Sequence, residues 1–214
     1  MTRWLKRWNL VAVNDAYRLM PFADALYACD RKWWLKHKPQ FSGEMWTSHE
    51  PHSLNDKSDL QIDGLNYVAG THGIGFSLNP SVLHYGSNSG FQAINLAILK
   101  GCRFIVLVGF DMCRRDKAHF FGDHPEGFYT NSDRDFRAYI PEFEMAAKRM
   151  PADLTIINAT PGSALACFPM MSLKDAVDRG ESERYGGVHR HRSEFDGRAD
   201  TGRESQGVCA GGVQ

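Results

Sequence analysis

The sequence predicts an α/β sandwich around a mostly parallel sheet. Two observations carry that prediction. Short apolar runs without polar alternation recur along the chain and stop on Asn or Asp, and helical patterns separate them. Residues 86–112 then read in sequence as a polar glycine loop, a buried helix and a buried strand ending on an acid. In open α/β sheets the junction of a helix N-terminus with a strand C-terminus is where ligands bind.

The elements follow in order. Leu10-Val-Ala-Val-Asn14 is a compact apolar run that stops at Asn-Asp and reads as a buried strand. Ala25-Leu-Tyr-Ala-Cys29 is a second, stopping at Asp30. Arg31–His37 reads as a helix with Asp30 as its N-cap. Residues 38–63 are polar and carry turn residues, as short elements or a flap would. Leu65–Ala69 is a weaker strand, and residues 70–80 a glycine-rich loop. Residues 89–100 form a helix whose apolar positions run most of the way round, so it is buried on more than one side. Gly101 suits its C-terminal end. Phe104–Val108 is rich in β-branched residues, as a central parallel strand is. Residues 134–150 are amphipathic and helical, with Pro141 marking a start or a kink. Leu154–Asn158 is a further strand, and Ser172 caps a last helix. After Arg179 glycines and charges dominate and little remains to bury. The expected organisation is therefore a domain over residues 1–179 and a disordered polar tail over 180–214.

Bulk properties narrow the function classes. Lys and Arg together equal Asp and Glu at 25 each, which argues against a general polyanion binder such as a nucleic-acid protein. The longest apolar run, Phe104–Phe110, is too short to span a bilayer. No secretory signal is visible at Met1–Trp8, so a cytoplasmic location is expected. The five cysteines are odd in number and form no Cys-x-x-Cys pair, which fits buried reduced thiols.

Strand ends supply the candidate site residues. Asn14, Asp15, Asp30, Asp111 and Asn158 stand where predicted strands stop, and polar groups there can meet ribose hydroxyls, a base edge, or a metal with phosphates. Asx residues also make turns and helix caps at such places. Asn88, Ser89 and Gly90 precede the buried helix and serve either as an anion cradle or as a structural cap. The spacing is neither a Walker loop nor Gly-x-Gly-x-x-Gly. His119 and His124 follow the Asp111 strand, where an imidazole can act as general acid or base. Trp33 and Trp34 either pack on the sheet or stack on a ligand ring.

Several of these segments resemble a group of bacteriophage and prophage proteins. They are residues 13–34, Gly86-Ser-Asn-Ser-Gly-Phe-Gln-Ala-Ile-Asn-Leu-Ala97, Val108-Gly-Phe-Asp-Met112, residues 119–124 and Asn158-Ala-Thr-Pro-Gly-Ser-Ala-Leu-Ala-Cys-Phe168, within a match over residues 9–178. More distantly the chain resembles the Rossmann-like domain of bacterial sialyltransferases that use CMP-sialic acid, and archaeal 6-hydroxymethylpterin diphosphokinase-like proteins. The resemblance implies a Rossmann-like three-layer sandwich, N-terminally shortened, because members of that group carry a further strand and a glycine loop ahead of the segment matching Leu10–Asn14. It implies a nucleotide or nucleotide-sugar ligand beside Asn14, with Ser89 and Gly90 on its ribose or phosphate. Asp111 would form the pocket floor and Pro161 to Ser163 a wall. His119 would be the base, with His124 the second choice. The function expected is glycosyl transfer from a nucleotide sugar. The alternatives are Mg-dependent phosphoryl or diphosphoryl transfer using Asp15 or Asp111, or a non-catalytic phage accessory or morphogenetic protein. Expected partners are a small nucleotide ligand and either a second copy of the chain or a phage protein, with neither nucleic acid nor membrane.

Overall fold

The computed structural model describes residues 8–49, 60–113 and 132–183. The chain divides into two compact units, Met1–Ala176 and Val177–Gln214.

The first unit is a Rossmann-like α/β sandwich. Five parallel strands form one sheet in chain order: β1 (Val11–Val13), β2 (Ala25–Tyr27), β3 (Glu44–His49), β4 (Leu65–Thr71) and β5 (Val82–His84). Two more parallel strands, β6 (Phe104–Leu107) and β7 (Thr155–Asn158), pair with each other. The helices are α1 (Arg31–His37), α2 (Ser89–Leu99) and α3 (Asp133–Lys148).

Strand alternation sorts the side chains into layers. Ala12, Leu26, Met45 and Leu65 point to one face, where they pack with Trp33 and Trp34 of α1. Val11, Val13, Tyr27, Trp46 and Val68 point to the other, where they meet Ala93, Leu96 and Leu99 of α2. The β6–β7 pair repeats the scheme. Ile105, Leu107 and Ile156 face Phe91, Ile94 and Ile98 of α2 and Phe143 of α3, while Phe104, Val106 and Ile157 face Leu173 and Ala176. One helix, α2, thus covers both groups of strands. The chain leaves β5, passes through α2 and enters β6. There Trp8, just ahead of β1, packs on Phe104 at the start of β6, with ring centroids 5.8 Å apart.

A helix with two packed sides has little room for solvated residues, and its polar groups must be satisfied inside. Asn95 is fully buried, and its Oδ1 accepts from the amides of Ser77 and His84 at 2.9 Å each. Its Nδ2 donates to the Ser77 carbonyl at 2.9 Å. Gln92 accepts from the Tyr27 hydroxyl at 2.7 Å. These bonds fasten the 75–79 loop, β5 and β2 to α2. At the far end of the helix, Lys100 sits 4.0 Å from the Trp46 ring centre and 3.2 Å from Glu44, which also accepts from Trp46 Nε1 at 2.7 Å.

Several elements differ from the sequence reading. Of the two expectations for residues 38–63, short elements or a flap, the first holds for Glu44–His49, which form a central strand, β3, flanked by β2 and β4. It escapes periodicity because Thr47 and Ser48 are polar yet fully buried. β5 is only three residues long, and β4 runs on to Thr71 into the expected loop. Pro141 lies inside α3, whose start is set by a capping box. Asp135 N donates to Ser132 Oγ at 3.4 Å, and Ser132 N to Asp135 Oδ2 at 2.7 Å. Asp30 occupies the N-cap of α1 without a side-chain capping bond. In the second unit residues 177–183 are helical, so the tail expected from residue 180 begins as helix, and the remainder lies outside the described residues.

Replacing Asn95 with Leu keeps the volume and raises the hydrophobicity, yet it strands two amides and a carbonyl. Loss of about 1–3 kcal/mol per stranded group is expected, read as a fall in the urea midpoint. The Glu44 carboxyl is held below its usual 4.5 by the Trp46 indole N–H and then by Lys100. Its contribution is therefore complete above the unfolded value and is lost as pH falls through the lower folded one. Trp46 emission should change with a midpoint below pH 4.5, and Glu44→Gln should abolish that step.

Candidate functional site

The ends of β2 and β6 converge on the opening turn of α2. Ser89 holds β2 there: its Oγ accepts from Cys29 N at 3.0 Å and donates to Cys29 Sγ at 3.0 Å. β1 is in register with β2, Val13 opposite Tyr27, which sets Asn14 one strand over from that contact. From the other side Phe110, which follows β6, lies so close to Gly90 that a Cβ on Gly90 would be 2.9 Å from its ring. A side chain on Gly90 would press on that ring at the β6 end. Cys29 from the end of β2 and Phe110 from the end of β6 thus meet at one helix start, and Asn14 follows β1, the strand beside β2.

The first turn of α2 is partly committed. Asn88 caps it, its Oδ1 accepting from Phe91 N at 2.9 Å, and Gln92 N donates to Asn88 O at 3.2 Å. The amides of Ser89 and Gly90 precede any carbonyl the helix can offer them, so they keep the anion-attracting character of a helix N-terminus. Asn14 adds a second feature. It takes a left-handed backbone, φ +50°, as it leaves β1 for a 3-10 turn over Asn14–Arg18, and its Oδ1 is buried with no hydrogen-bond partner. A buried carbonyl oxygen costs free energy unless it is met, and a ligand hydroxyl or amino group can meet it.

Other candidates are bound into the scaffold. Asp15 is 3% exposed, accepting from Trp33 Nε1 at 3.1 Å and pairing with Arg18 Nε at 3.1 Å. Both of its oxygens have protein partners, which ill suits the Mg2+ ligand of the phosphoryl-transfer alternative. Among the described residues no three of His, Cys, Asp and Glu gather as a metal site requires. Ser163 donates to the Phe110 carbonyl and accepts from Asn158 Nδ2 and Leu165 N, each at 3.0 Å. Ala164 N donates to the Asp111 carbonyl at 2.8 Å, and Phe110 N to Thr160 Oγ1 at 3.0 Å. The turn containing Pro161, Gly162 and Ser163 is thereby stitched to the end of β6, and Asp111 is half-buried beside it. Asp30 is exposed at the head of α1. His119 and His124 lie outside the described residues.

Trp33 and Trp34 are buried and pack edge to face, centroids 5.0 Å apart, so they belong to the core. Burial pushes the Cys167 thiol up to about 11 and raises that of Cys102. Neither is a nucleophile near neutral pH.

Sequence reasoning missed a second feature. A hollow of about 490 Å3 opens beside the Gly86–Ser87 turn that leads into α2, lined by His72, Gly73, Ile74, Tyr85, Gly86, Ser87 and Glu142. Its walls come from the ends of β4 and β5 and from α3, remote positions without a local motif. Close approaches between rings and glycines pack the surrounding scaffold. A Cβ on Gly70 would be 2.0 Å from the Tyr85 ring, one on Gly73 2.3 Å from His84, and one on Gly86 1.9 Å from Phe91. His84 is fixed by Nδ1 at 2.8 Å from Gly75 O, and His72 meets Tyr85 edge to face at 5.1 Å.

Ser163→Ala removes the hub of the turn, leaving Asn158 Nδ2 and Leu165 N short of an acceptor. A loss of about 1–3 kcal/mol is expected in chemical denaturation. Proteolysis should then speed up first in the 158–165 turn.

No family model, no curated protein and no solved structure matches this chain.

Proposed function

We propose that this chain binds a nucleotide at the opening turn of α2, and that the ligand is a nucleotide sugar handled by a phage-type, glycosyltransferase-like protein. The observation that supports it is the buried, unpartnered Oδ1 of Asn14 just past β1, with the α2 start at Ser89 bonded to the end of the adjacent strand β2. Phosphate oxygens suit the first-turn amides of α2, and a ribose hydroxyl or base amino group suits Asn14. In the transfer, His119 (or His124) takes the acceptor hydroxyl proton. The acceptor oxygen then bonds to the anomeric carbon, and the nucleotide leaves with the electrons of the broken C–O bond.

A second reading has its own support. Ser89, Ser163 and Asp15 spend their polar atoms on protein partners, as in a binding or accessory protein that keeps the fold without the chemistry.

Titration calorimetry with CMP, UDP, GDP and ADP sugars tests the proposal. One nucleotide class is expected to bind, with EDTA leaving the affinity unchanged. Asn14→Ala should weaken binding about tenfold, the scale of one buried hydrogen bond. Absence of binding to the folded full chain overturns the proposal. Binding without turnover, and indifference to His119→Ala, favours the accessory reading.

A further inference from the structure

We propose that the hollow beside Gly86–Ser87 is a binding site for a neutral saccharide. Its volume, about 490 Å3, falls within the range of about 300–1,000 Å3 typical of small-molecule sites. Its lining suits hydroxyl-rich ligands: a carboxylate on Glu142, an imidazole on His72, a hydroxyl on Ser87 and the Tyr85 ring. Vicinal hydroxyls donate to a carboxylate and accept from an imidazole or serine, while the C–H face of a sugar ring packs on an aromatic wall. The lining has no Lys or Arg and includes Glu142, so phosphate and carboxylate ligands meet repulsion here.

The wall is built in advance. Tyr85 lies across Gly70 and its hydroxyl reaches the His49 carbonyl at 3.4 Å, while His72 buttresses its edge. Gly86 and Ser87 hold left-handed backbones at φ +49° and +69°, and the Phe91 ring beneath Gly86 excludes any side chain there. A ring fixed on glycine costs little further ordering when a ligand arrives.

Gly86 and Ser87 of the hollow run directly into the α2 opening turn at Asn88–Gly90. A saccharide in the hollow and a nucleotide sugar at the turn would therefore occupy neighbouring sites, as acceptor and donor. The role of acceptor rests on the nucleotide-sugar reading; the binding of a neutral saccharide does not.

The test is NMR titration of the full chain with glucose, N-acetylglucosamine, lactose and maltose, with glucuronate and inorganic phosphate as anionic probes. At least one neutral saccharide should shift the amides of Gly86, Ser87 and Glu142, and each anion should bind more weakly. His72→Ala and Glu142→Gln should each weaken saccharide binding about tenfold and leave nucleotide affinity unchanged. His72 is exposed and Glu142 partly so, and circular dichroism checks that the variants fold. Glu142→Asp should recover part of the affinity. The proposal is overturned if no neutral saccharide shifts these amides, if glucuronate binds as well as glucose, or if both variants bind like the parent. Saccharide binding without nucleotide binding would overturn the nucleotide reading alone, and the converse would overturn only this one.

Discussion

The architecture depends on α2 being packed from two directions. One side of the helix covers β1, β2 and β5 through Ala93, Leu96 and Leu99, and another covers β6 and α3 through Phe91, Ile94 and Ile98. The helix can therefore shed neither partner without exposing apolar surface, at roughly 25 cal/mol per Å2. The same demand explains its two buried amide side chains. Where α2 turns polar, at Gln92 and Asn95, each side chain reaches a named donor or acceptor on another element. The helix start inherits this rigidity, because the residue opening it, Ser89, is bonded to the end of β2.

Much of this was legible in the amino-acid order. The all-round apolar pattern of residues 89–100 identifies a helix with more than one buried side, and the β-branched run at Phe104 identifies its neighbouring strand. Where the reading failed, pattern and burial had parted company. β3 alternates Met45 and Trp46 with nothing apolar after them, since Thr47 and Ser48 occupy fully buried positions. β5 is too short for any period to register. Of the two roles offered for Pro141, a start or a kink, the start is ruled out, because the capping box at Ser132 begins α3 upstream.

The site was legible as a place and less so as a set of roles. Of the residues picked for standing at strand ends, Asn14 follows β1 directly and Asn158 closes β7, whereas Asp30 and Asp111 lie beyond the ends of β2 and β6 at Tyr27 and Leu107, and several use their polar atoms to tie the scaffold together. Ser163 bonds three segments and Asp15 joins a tryptophan to an arginine, assignments that depend on partners up to 53 residues away in sequence. Asn14 differs because its backbone conformation and unmet oxygen leave it poised rather than spent. The hollow formed by His72, Tyr85 and Glu142 draws on three elements whose proximity only the fold creates.

The glycine-backed rings around that hollow separate what must stay from what can drift. Tyr85, His84 and Phe91 each lie on a main chain that admits no side chain at Gly70, Gly73 or Gly86. His72, Ser87 and Glu142 stand above them, at or near the surface. A lineage carrying this domain could exchange the upper residues one at a time and acquire new ligand preferences while its foundation stayed intact.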